Sequence, residues 1–238
     1  MMYGFQYLGQ RAEAISPLLL VDSRDIGMPA KNKITASVPF SNETYDFSEI
    51  YGDQTYSDRK NKYVIHILDI DNLDPVTMHQ LKTEVINWLM NSHGRQPLYD
   101  DVLPDYHFMA EVAGAATLAD SFETGELTVT FVCDPLMVAN KAEGDDVWDT
   151  FNFMSDVAQY VSFTVHGTLQ TTLINSGVSS AYPTTTVTAD AQLTMQIGNV
   201  SYQITAGTTT EVQIPVGANT VTITGDGTID FNWHREVI

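Results

Sequence analysis

The sequence predicts a mainly β protein with one helix, built as an N-terminal α+β domain over residues 1–134 followed by an antiparallel β-sandwich over residues 135–238. Three observations predict it. Apolar residues recur at every second position through most of the chain, the mark of half-buried strands. They recur at helical spacing over one stretch, Met78 to Leu89. Charge, finally, is uneven: ten of the eleven basic residues lie at or before Lys141, and between Val157 and Gly225 only Asp190 and Glu211 are charged.

Taken in order, Tyr63 to Ile70 reads as a strand. Asp74 and Pro75 then suit a helix cap and first turn, and Met78, Leu81, Val85, Trp88 and Leu89 share one helical face. Gly94 suits the left-handed position that ends such a helix. Tyr106 to Val112 and Leu127 to Cys133 read as two more strands, and Asp134-Pro135 interrupts the second and marks the boundary. Lys141 to Asp146 reads as a polar linker, and Phe151 to Met154 as the return to ordered structure. In the second half, Val161 to His166, Val187 to Ile197, Val200 to Ile204, Glu211 to Ile214 and Thr220 to Thr224 alternate with period two. Gly198-Asn199 is a hairpin signal, and Gly217 to Asn219 and Gly225 to Gly227 punctuate the remainder. Short strands at this spacing indicate a sandwich.

At 238 residues and 43% hydrophobic, the chain is long enough for a sizeable core in one domain or two. Its net charge of -19, from 30 acidic and 11 basic residues, opposes phosphate backbones, so no specific nucleic-acid binding is expected. Met1 to Glu13 lacks the basic and apolar pattern of a leader, and no window approaches the roughly 20 apolar residues of a membrane span, so no membrane is expected and the chain is expected to be made and folded in a cytoplasm. Cys133, the one cysteine, sits in an alternating strand and reads as an inert core thiol.

Chemistry is sparse. No nucleophile elbow, phosphate loop, zinc-binding His-Glu pattern or spaced cysteine pair occurs. Asp69 to Asp74 begins like a calcium loop but has Leu73 at the fifth position, Asp74 where glycine belongs and Gln80 where the closing Glu belongs. Asp100-Asp101 and Asp145-Asp146 are adjacent acids that point to opposite faces of a strand, a poor arrangement for paired carboxylates. The six histidines are scattered. Trp88 and Trp233 fit the core, and Trp148 is the better interface candidate. The expectation is a protein that is not an enzyme, with no catalytic, cofactor-binding or metal-ligating residues.

The order of several landmarks resembles one family. Ser23 to Pro29, Tyr45 to Ser48 and Asp58 to Lys60 precede the Tyr63 strand; Ile86 to Leu89 is followed by Pro97 to Asp101 and Pro104 to Phe108; Phe131 to Pro135 closes the first half; and Val216 to Trp233 closes the chain. This series resembles the distal tail proteins of phages that infect Gram-positive hosts. The resemblance implies an N-terminal domain that forms a hexameric ring and docks on the major tail tube protein, and a galectin-like C-terminal sandwich. It implies a virion protein of the tail tip or baseplate hub, with a tail-associated lysin or tail fibre protein, a tape-measure protein and receptor-binding proteins as partners. Two departures accompany it: no long carbohydrate-binding insertion is present, and no His-x-Asn-x-Arg sugar motif occurs. The alternatives from other classes are a carbohydrate-binding module for wall attachment and a small hydrolase using Asp or Glu. Asp22 to Ile50, with Arg24, Met28, Pro29, Lys31, Lys33 and Phe40, is too long and irregular for a turn and reads as an extended arm laid on a neighbour.

Overall fold

A computed structural model describes residues 3–15, 19–50, 52–68, 75–112, 114, 117–120, 124–145, 147 and 151–238. The chain divides into two compact units, Met1–Met137 with Ile238, and Val138–Val237. Each has its own apolar core.

The first unit contains β1 (Phe5–Tyr7), β2 (Gln10–Arg11), α1 (Ala12–Ile15), β3 (Leu19–Ile26), β4 (Thr35–Ser37), β5 (Thr44–Asp46), β6 (Arg59–Leu68), α2 (Pro75–Met90), β7 (Gln96–Asp100), β8 (Tyr106–Val112), β9 (Thr117–Asp120) and β10 (Thr124–Cys133). Its sheet runs β2-β1-β7-β8-β10-β6-β3, with β9 also on β10, and the registered pairs are antiparallel. Alternation does the sorting: Tyr63, Ile65 and Ile67 on β6, Leu127, Val129, Phe131 and Cys133 on β10, and Phe108 and Ala110 on β8 are all buried. The face of α2 with Met78, Val85, Trp88 and Leu89 joins that core. Trp88 stacks on Phe5 at 5.6 Å between ring centres and donates its indole N–H to the Tyr7 carbonyl at 3.2 Å, so a large apolar body is buried without orphaning its donor.

The second unit contains the remaining strands: β11 (Met137–Ala142), β12 (Ser162–Asn175), β13 (Thr184–Thr188), β14 (Leu193–Ile197), β15 (Val200–Ile204), β16 (Gly207–Thr209), β17 (Gly217–Asn232) and β18 (His234–Val237). β11 pairs β18. The others form one six-stranded sheet in the order β15-β14-β17-β13-β16, with β12 along β17 from Ser162↔Asp230 to Asn175↔Gly217. On the far side of β17, β14 takes residues 221–224 and β13 takes residues 228–232, leaving 225–227 between them. Here the sheet folds on itself. Val221, Ile223, Ile229 and Phe231 share one face of β17, and with Val187 and Met195 they are buried. A flat sheet would leave that face wet. The fold needs glycine at the bend: a Cβ on Gly225 would lie 2.6 Å from a Leu193 methyl, and one on Gly227 would lie 2.6 Å from the Thr188 carbonyl.

Mainly antiparallel β structure with a single long helix is as expected. Particular elements differ. Val187 to Ile197 is two strands, because the chain turns at 189–192 while its apolar parity continues. Gly225 to Gly227 lies inside β17 as a bend rather than a turn. Glu211 to Ile214 contributes one isolated bridge, Ala181↔Ile214. Pro97 to Asp101, which the resemblance implies is part of the link from the helix to the next strand, falls largely in strand β7, Gln96–Asp100. Lys141 and Ala142 end strand β11, and Glu143 beyond them is buried, so the expected linker is part of the second unit. Asp74, the expected cap, lies outside the described residues.

Candidate assembly surface

The ladder of β3 on β6 does not end where the sheet does. From Leu19↔Ile67 it runs to Ile26↔Asn61, and the chain then leaves the core as a narrow ribbon. Gly27 N–H donates to the Lys60 carbonyl at 3.1 Å, Ser57 N–H to Ala30 at 2.9 Å and Asn32 N–H to Thr55 at 2.9 Å, with a bridge between Lys31 and Tyr56. Beyond these, β4 pairs β5 from Thr35↔Asp46 to Ser37↔Thr44. The arm is therefore residues 27–58 and has two limbs; Asp22 to Ile26, expected to belong to it, is sheet.

The arm has no core of its own. Residues 30–47 are exposed throughout. Met28 is 84% exposed and Phe40, at the tip with φ +66°, is 110% exposed, and Ile34, Tyr45, Phe47 and Ile50 are also open. A two-stranded ribbon is at best marginally stable in water, and large exposed apolar side chains on one mark a surface made for contact. The charges on it are arranged locally. Lys33 Nζ lies 2.7 Å from Asp46, and hydrogen bonds from Lys33 and Ser48 hold the Asp46 carboxyl well below the usual carboxylate range, while Asp46 holds the Lys33 ammonium above its usual range.

At the arm's root, ion pairs fix the sheet. Arg24 on β3 forks onto Asp100 on β7, with Nε 2.9 Å from Oδ2, and also donates to the Tyr3 carbonyl. Asp100 accepts the Tyr63 hydroxyl at 2.9 Å and the Val102 N–H at 3.1 Å. Burial, with the Asp100 carboxylate beside it, pushes the Tyr63 hydroxyl well above its ordinary value. Asp101 takes Arg11 at 2.6 Å and the Gly4 N–H at 2.9 Å; the Arg11 hydrogen bond holds its carboxyl low. Arg95 bonds Asp58 at 2.5 Å and also Asp134. The acid pair Asp100-Asp101 is thus spent on the guanidinium groups of Arg11 on β2 and Arg24 on β3, which tie those strands to the end of β7.

The other sequence candidates end as follows. Asp69 to Asp74, Asp146 and Trp148 lie outside the described residues. Asp145 accepts the Val147 N–H at 3.1 Å. Trp88 and Trp233 are core, and Cys133 is buried, with its thiol pushed up to about 12 by burial. Among the described residues no group of three or more His, Cys, Asp or Glu could hold a metal, and no helix is long and apolar enough to cross a membrane. A groove beside α2, lined in part by Leu8, Ile15, Glu84, Asn87 and Met90, offers one carboxylate among apolar and amide groups.

An N-terminal sheet with a single long helix and a projecting arm, followed by a sheet folded over its own core, defines the class: the chain has the fold of the phage distal tail proteins. Among solved structures it is similar to SPP1 Dit (gp 19.1), described as a paradigm of the hub adsorption apparatus in Gram-positive-infecting phages, with a TM-score of 0.65 over 98% of this chain and 99% of that one. Identity is 14%, so the likeness is one of fold. No protein-family model and no curated protein matches the chain.

Proposed function

We propose that this chain is a non-enzymatic structural subunit of a bacteriophage tail tip. The observation that carries the reading is the end-to-end likeness to a hub protein, with neither chain leaving a substantial part unmatched. In this reading the N-terminal domain, residues 1–134, forms a hexameric ring beneath the tail tube, and the galectin-like domain, residues 135–238, stands outside it. The ring holds the lysin or fibre on its other face and carries the receptor-binding apparatus. The arm supports this reading, since a closed ring needs a heterologous contact and residues 27–58 provide an apolar surface that nothing in their own unit covers. Burying Phe40 alone on a neighbour is worth about 1.5 to 3 kcal/mol. The net charge of -19 fits a channel that repels passing DNA.

The test is mass by light scattering from low to high micromolar concentration, with chymotrypsin as a second readout. The expected result is a species of six subunits or a multiple of six, resistant at Phe40, and a smaller, folded species for a chain with Phe40→Asp and Ile34→Asp. A strict monomer, alone and mixed with its tube and lysin partners, overturns the reading and returns the carbohydrate-binding alternative, which titration with host wall polysaccharide then examines.

A further inference from the structure

The second unit carries an open sheet edge with unusual properties. β12 pairs β17 along its whole length, and among the described residues it has no strand on its other side. At one end the edge is already filled. The Gln159 side chain accepts from the Ile174 N–H at 2.8 Å and donates to the Ile174 carbonyl at 2.8 Å, as a neighbouring strand would. This contact fixes which residues face outward. Backbone groups alternate sides along a strand, so if Ile174 turns away from β17, then Thr172, Gln170 and Thr168 do as well. Toward the other end Gly167, with φ +77°, interrupts the run. The free window is therefore Thr168 to Thr172, and the side chains of Thr168, Gln170 and Thr172 are exposed.

That window has none of the usual protections of an edge strand. All of Ser162–Asn175 lacks Lys, Arg, Asp, Glu and Pro. It is also symmetric: reading outward from Gln170, the exposed residue on either side is threonine. In a chain of net charge -19, an uncharged strand is a place where two copies approach without repulsion. We infer that the β12 edge pairs with the β12 edge of a second copy, antiparallel and centred on Gln170, so that each sheet continues into its partner's. Gln170 then meets Gln170 across the axis, and Thr168 meets Thr172, each pair exchanging two backbone hydrogen bonds. The contact is isologous, so it closes after two subunits. It is distinct from the heterologous contact of a ring, and in a ring it links one assembly to another.

The test uses the full-length chain. Cys133 is buried, so Gln170→Cys presents one accessible thiol, about 5 Å from its mate across the axis. A short bis-maleimide should give a covalent dimer from Gln170→Cys, and none from wild type or from Val200→Cys on another strand. Gln170→Pro removes an outward N–H and no bond to β17, so at high concentration it should halve the mass of the species formed by wild type while keeping its circular dichroism. If the proline variant unfolds, Thr168→Lys with Thr172→Lys should halve the mass instead. The inference is overturned by a folded variant that keeps the wild-type mass, or by a Gln170→Cys chain that yields no dimer. A chain carrying Phe40→Asp and Ile34→Asp separates the two proposals: it loses ring contacts and should keep the cross-link, whereas rings without any cross-link refute the edge pairing alone.

Discussion

Replacing Asp100 by alanine should destabilise the first unit severely, and the size follows from what the carboxylate holds. Its side chain is 0% exposed and that of Arg24 is 15% exposed. Asp100→Ala strands a guanidinium, the Tyr63 hydroxyl and the Val102 N–H together. Breaking one side of a buried, hydrogen-bonded charge pair costs about 3 to 5 kcal/mol. At roughly 2 to 4 °C per kcal/mol for a chain of this size, the first unfolding transition should fall by about 10 °C. The effect belongs to a network, so the costs must not add. Arg24→Met, Tyr63→Phe and Asp100→Leu combined remove charge and orphans at once and should cost less than Asp100→Ala alone. Urea unfolding followed by tryptophan fluorescence and by far-ultraviolet circular dichroism measures both. A loss under about 1 kcal/mol for Asp100→Ala, or single costs that sum to that of the triple variant, would refute the reasoning.

Three further outcomes are expected. Gly227→Ala should cost about 1 to 3 kcal/mol in the second unit, seen as a lower urea midpoint, since its Cβ would meet the Thr188 carbonyl and the Ala189 methyl. Glu143 is buried with Gln159 and Ser176 as partners, and burial raises its carboxyl above the usual range. Its folded form therefore binds a proton more readily than its unfolded form, and stability falls as pH rises from the ordinary glutamate value through the raised one; Glu143→Gln should flatten that fall in melting scans across the mildly acidic range. Cys133 should resist a thiol reagent at neutral pH in the native protein and react fully in denaturant, and rapid native labelling would contradict its burial.

Alternation and helix spacing carried the elements with strong side-chain contrast. Tyr63 to Ile67, Tyr106 to Val112 and Leu127 to Cys133 alternate cleanly, and Pro75 to Met90 has its apolar face and its stop. What stayed hidden depends on contacts between distant residues. Proline reads as a breaker, yet Pro97 opposes Met109 in a registered pair. Glycines read as turns, yet Gly225 and Gly227 sit where a strand must bend closely past Leu193 and Thr188. The polarity of Lys141 to Asp146 concealed a strand end and a buried glutamate, because Glu143 finds amide and hydroxyl partners only after folding. The arm was legible as a mixed stretch too long and irregular for a turn; its closing residues, 52–58, were not, since pairing across the ribbon leaves no periodic trace.

The long ladder of β12 on β17 also governs how the second unit comes into being. Its closest pair in sequence, Asn175 with Gly217, already closes a loop of about 40 residues, and every later pair joins residues farther apart. Strands β13 to β16 all lie inside that loop. A hairpin such as β14–β15 forms locally within microseconds, but the ladder must wait for a costly closure before any of its bonds repay the entropy. Until then an uncharged, threonine-rich strand of 14 residues has neither of its edges occupied. On a ribosome the ladder cannot start until Gly217 has emerged and cannot finish until Asp230 has, so crowded synthesis at high temperature is the condition under which this half of the molecule aggregates first.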